Sequence, residues 1–88
     1  MKVDAATIEA ALRAGLDPSF LSVEDDSQRH VGHAGAREGG HYTVRVRSAR
    51  FTGLTPIARH RLVYDLLGPL MVRGIHALAI EARAPEDA

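Results

Sequence analysis

Tyr42, Val44 and Val46 alternate with His41, Thr43, Arg45 and Arg47 in one unbroken run from His41 to Ser48. Period-two alternation sends one set of side chains to each face of an extended strand, so this run specifies a sheet with one buried and one wet face. The buried face needs a cover. The rest of the chain offers two helical patterns and two more extended patterns to supply it.

Residues 5–15 read as a short helix, with Asp4 at the N-cap and Ile8, Ala11 and Leu12 on one face. Gly15 stands where a left-handed cap is wanted, and Asp17-Pro18 turns the chain. Phe20 to Asp25 reads as a first strand with Leu21 and Val23 on one face. Residues 27–40 form a long polar loop that includes Gly32, Gly35, Gly39, Gly40 and two histidines. Loops of this length are usually functional or disordered. Thr55-Pro56 opens a second helix, cap then proline at the first helical position. Its apolar stripe is Ile57, Ala58, Leu62, Val63, Leu66 and Leu67, and Gly68-Pro69 is expected to break or bend it. Gly74 to Arg83 reads as a final strand, Ile75, Ala77 and Ala79 against His76, Leu78 and Ile80, covered on both faces.

The order is α-β-β-α-β. The first two strands pair antiparallel across the loop, and a right-handed helical crossover makes the third parallel to the second. This is an α+β fold, a three-stranded mixed sheet with helices on one face. The topology has a consequence for chemistry: the third strand starts at the end of the sheet that carries the long loop. His76 is therefore expected near His30 and His33.

Eighty-eight residues allow one domain, 1–88, with residues 84–88 as a short tail. Fourteen of the apolar residues are alanine, so a core leaves no room for a deep substrate pocket. The absence of cysteine removes disulfides and thiolate chemistry, and Lys2 is the only lysine. No stretch approaches the roughly 20 apolar residues of a membrane span, so a cytoplasmic protein without a membrane partner is expected. Charge is uneven. From Arg29 to Arg61 there are seven arginines against Glu38 alone, a distribution suited to nucleic acid or an acidic partner, or simply to the wet face of a sheet and helix.

Catalysis has little to stand on. No serine lies in a G-x-S-x-G elbow, and no paired carboxylates stand at a spacing suggesting acid–base work, since Glu24-Asp25-Asp26 is contiguous, so no enzyme is expected. Gly32-His33-Ala34-Gly35 matches a G-x-x-G phosphate-clamping loop, but between strands rather than helices. Metal ligation is stronger. His30-x-x-His33 and His76 offer two or three imidazoles, too few for a complete mononuclear site. The competing reading is ordinary: His76 a core-edge histidine bonded to backbone, His30 and His33 polar loop residues. His41 starts a strand pointing outward and is assigned no chemistry. His60 is assigned to positioning its helix or a partner face.

The segments Phe51-x-Gly53-Leu54, Arg59-His60-Arg61-Leu62-Val63-Tyr64 and Ile75-His76-Ala77-Leu78 together resemble the BolA family. The likeness extends to Ile8-Glu9, Leu12, Pro18, Leu21, Val23, Asp26-Ser27 and His41-Tyr42-x-Val44. It implies a class II KH-like fold, with the family's C-terminal helix reduced or absent here. It also implies an adaptor that shares a [2Fe-2S] cluster with a monothiol glutaredoxin and glutathione, and that binds none alone. The histidine matching His76 would be a ligand, and a loop histidine, His30 or else His33, would add or tune a contact. Arg45, Arg47, Arg59, His60 and Arg61 would face the partner or nucleic acid. DNA binding and transcriptional regulation form the alternative, and a monomer or weak homodimer is expected alone.

Overall fold

The alternating run forms the central strand, β2 (Gly40–Arg47), of a three-stranded sheet. The computed structural model describes residues 3–27 and 40–88. Strand β1 (Phe20–Asp25) pairs with β2 antiparallel, from Phe20 opposite Arg47 to Asp25 opposite Tyr42. Strand β3 (Ile75–Arg83) lies parallel on the other side of β2 and forms an edge. Tyr42, Val44 and Val46 point into one core with Ile8, Leu12 and Leu16 of helix α1 (Ala5–Leu16) and Val63 and Leu67 of helix α2 (Pro56–Arg73). The order and the α+β class are those expected from the sequence.

Helix α2 starts as its first residues require. The Thr55 hydroxyl accepts from the Ala58 N–H at 3.1 Å, and Pro56 follows where no donor is needed. Of the expected break or bend at Gly68-Pro69, the break does not occur: the helix runs on to Arg73, where Gly74 N–H still reaches Leu70 O at 3.0 Å. Pro69 removes one bond, the one to the carbonyl of Asp65, and Asp65 is exposed, so water can take it.

Helix α1 corrects a second expectation. Its left-handed residue is Asp17 (φ 43°), whose N–H reaches Arg13 O at 3.1 Å, and Gly15 is inside the helix. A Cβ on Gly15 would stand 2.4 Å from Leu66 Cδ2, so the glycine serves the close approach of the two helices. The last carbonyls of α1 are closed from outside: Leu16 O accepts from Ser48 Oγ and Gly15 O from Arg50 Nη1, both at 2.6 Å.

Strand β3 departs most from its sequence pattern. Gly40 faces Ile75 but His41 faces Ala77, so His76 is the extra residue of a β-bulge. The bulge resets the alternation. Ile75, Leu78 and Ile80 all pack toward the core, while His76, Ala77, Ala79 and Glu81 are exposed. The strand is therefore not covered on both faces. Residues 84–88 follow it as a turn, with Asp87 N–H bonded to Ala84 O at 3.1 Å.

Candidate functional site

Strands β2 and β3 begin at the same rim of the sheet, and each begins with a histidine next to its first paired residue. The bulge leaves His76 exposed, and the His41 ring lies beside it, centroids 5.0 Å apart and planes tilted by 44°. The His41 backbone is fixed on both sides. Its N–H donates to Ser27 Oγ at 3.0 Å and its carbonyl accepts from Asp26 N–H at 2.7 Å. Asp26 is held in turn, accepting the Thr43 hydroxyl at 2.5 Å, and Asp25 accepts from Ser27 N–H at 2.9 Å. A shallow cleft of about 270 Å³ opens here, lined by Asp26, His41, Thr43, Ala77 and Ala79 among others. On the other face the Tyr42 ring lies over Gly40, where a Cβ would fall 2.4 Å from Tyr42 Cε2, and the Tyr42 hydroxyl donates to Val3 O.

His41 is the residue that sequence reasoning set aside. The signal for it was present: parallel strands that start together bring their first outward side chains together. His30 and His33 lie outside the described residues. Among the described residues no three His, Cys, Asp or Glu side chains are grouped to hold a metal ion. The rim thus brings two imidazoles side by side, and imidazole nitrogen is a donor that iron and zinc both accept.

The arginines divide differently from their expected grouping. Arg59, 16% exposed, donates to Leu54 O at 3.0 Å, to Ala82 O at 3.2 Å and to Asp87 Oδ2 at 2.5 Å. Arg47 Nη1 reaches the carbonyls of Ala84, Pro85 and Asp87 at 3.0, 3.2 and 3.0 Å. Both therefore tie the C-terminal turn to the sheet and α2, and the surface set keeps Arg45, His60 and Arg61. Arg45 is exposed 3.6 Å from Glu24, and His60 and Arg61 are exposed on α2 with Ile57 and Tyr64. The Arg59 hydrogen bond, then the Ala84 N–H, holds the Asp87 carboxyl below its ordinary range. No described helix is long and apolar enough to cross a membrane.

Comparison with known proteins identifies the fold. Residues 12–87 match the model of the BolA-like protein family. The structure of the BolA domain of SufE1 from Arabidopsis thaliana superposes with a TM-score of 0.85 at 42% identity, covering 96% of this chain and 94% of that one. BolA-like protein 1 of Mus musculus is 40% identical over 92% of this chain. The DNA-binding transcriptional regulator BolA of Escherichia coli (strain K12) is 42% identical over 83% of this chain and 68% of its own length. Some relatives are much longer: this chain spans 61% of the mouse protein and 23% of SufE-like protein 1, chloroplastic/mitochondrial, of Arabidopsis thaliana. The helices and the mixed sheet superpose on those of a BolA domain, and the chain belongs to the BolA-like protein family.

Proposed function

We propose that this protein is a non-enzymatic adaptor for iron–sulfur cluster trafficking or iron homeostasis, pairing with a monothiol glutaredoxin around a [2Fe-2S] cluster. One observation carries the reading: an exposed imidazole, His76, on a bulge at the sheet rim, with the His41 ring 5.0 Å away, in a chain without cysteine. Imidazole is a competent iron ligand in mixed histidine–cysteine clusters. The missing thiolates come from the partner's cysteine and from glutathione. The chain's own part is to present His76 in a fixed place. The bulge aims it outward, and the Ser27, Asp26 and Thr43 hydrogen bonds hold His41 and the strand beneath it. A loop histidine, His30 or His33, adds or tunes a further contact in this reading. The cluster is cargo, and its loss regenerates the apo rim. Because relatives include proteins named for chloroplasts and mitochondria, cytoplasmic residence belongs to the proposal.

Anaerobic reconstitution with iron, sulfide, glutathione and monothiol glutaredoxin tests it. A coloured heterocomplex is expected, with no stable visible chromophore on the isolated chain. A stoichiometric cluster on this chain alone, or none with the partner, contradicts the reading.

The name of the Escherichia coli relative favours a second reading, DNA binding. The central arginines weaken it. Arg47 and Arg59 bond to the chain's own C-terminal turn, Arg50 to the end of α1, and Arg45 faces Glu24. Phosphate contacts make affinity fall steeply with salt, so a salt titration on duplex and single-stranded DNA separates the two readings.

A further inference from the structure

The outer edge of β3 continues from the candidate site. Ser48 N–H donates to Arg83 O at 2.9 Å, which fixes which residues of β3 turn their main chain toward β2. Alternation then assigns Ala77, Ala79, Glu81 and Arg83 to the inner ladder, and Leu78, Ile80 and Ala82 to the outer edge. Arg59 Nη1 bonds to Ala82 O from outside, as that assignment requires. Among the described residues, no other hydrogen bond reaches the outward N–H and C=O groups of Leu78 and Ile80. The stretch from His76 to Ile80 carries no Asp, Glu, Lys, Arg or Pro that would blunt the edge against pairing, and on the wet face it presents the small side chains of Ala77 and Ala79.

We propose that this edge is a strand-addition site, and that its occupant is an extended segment of the thiol-bearing partner, paired along Leu78 and Ile80. The inference rests on the adaptor reading above. Continuity selects the occupant: the edge begins at His76, so a segment laid along it holds the partner's ligands next to that imidazole. The Arg59–Ala82 bond sets the far limit, giving a footprint of a few residues. Main-chain bonds supply the affinity and tolerate different side chains in the partner.

Residue-resolved amide hydrogen exchange on the full chain tests it, free and in the cluster-loaded complex with monothiol glutaredoxin and glutathione. In the free chain, Leu78 and Ile80 amides should exchange far faster than those of Ala79 and Glu81, whose bonds run to β2. In the complex they should slow by more than tenfold. As a second variant, Ile80→Pro removes an outward N–H at an edge, where proline is tolerated. It should weaken the complex more than tenfold, with Ile80→Ala, which keeps the N–H, as the control for lost packing. Fast Leu78 and Ile80 amides in a complex that has formed its cluster overturn the strand-addition site and leave the adaptor reading intact. Equal weakening by the two Ile80 variants overturns the site as well. Failure to form any cluster complex overturns both.

Discussion

The two ends of the β2–β3 pair are built for opposite ends. Where the strands finish, Arg47, Ser48 and Arg59 turn their polar groups onto the chain itself, closing α1, the C-terminal turn and the edge carbonyl of Ala82. Where the strands start, His76 projects from a bulge into solvent beside His41 and a shallow cleft. In a chain with one small core, the closed end ties its polar groups into the fold and the open end presents His76 to solvent. Substitutions at the two ends should therefore fail in different assays.

The largest effect on stability is expected at the closed end. Phe51 is fully buried in the turn that joins β2 to α2, and Phe51→Ala should cost about 3–5 kcal/mol in chemical denaturation. Arg59→Ala comes next. It removes donors to Leu54 O, Ala82 O and Asp87 together, and about 2–3 kcal/mol is expected from leaving partly buried acceptors unsatisfied. Any cluster complex that the folded fraction of either variant forms should keep the wild-type spectrum. A changed spectrum in either would dissolve the division between the ends.

His41→Ala probes the open end. It should leave the denaturation midpoint close to wild type and speed cluster loss on the order of tenfold, as removal of a ligand's supporting neighbour does. An unchanged loss rate would reduce His41 to a bystander. The smallest effect belongs to Asp87→Asn. The folded carboxyl titrates below its ordinary value of 3.8 because Arg59 bonds to its charged form, so its contribution is complete above that value and is lost as pH falls through the depressed folded one. Wild type should exceed the variant in stability at neutral pH, and the gap should close in acid below about pH 4. A gap that persists unchanged at low pH would contradict the charge-based origin.

Much of this was legible in the residues. The alternation of 41–48, the Thr55-Pro56 helix start and the helical spacing of Ile8 and Leu12 gave the element order and the core. What escaped depends on neighbours distant in sequence. Gly15 looked like a cap because a glycine at a helix end is usually one, but its reason is Leu66, 51 residues away. Pro69 looked like a break because its pattern does not show that Asp65 faces water. The face pattern of β3 was misread because a bulge changes the period without any residue announcing it. His41 was passed over although the parallel start of the two strands was legible, because the bulge that leaves His76 beside it was not. Arg47 and Arg59 read as surface charge, and only the folded turn at Ala84–Asp87 reveals their acceptors.

In the proposed function, His76 lends its imidazole to a cluster held jointly with a partner. Visible circular dichroism of the complex reconstituted with glutaredoxin and glutathione, wild type beside His76→Ala, tests it most directly. Loss of the heterocomplex spectrum and rapid bleaching are expected in the variant, with far-ultraviolet dichroism and denaturation midpoint unchanged because the side chain is exposed. A His76→Ala complex with the wild-type spectrum and cluster lifetime would contradict it.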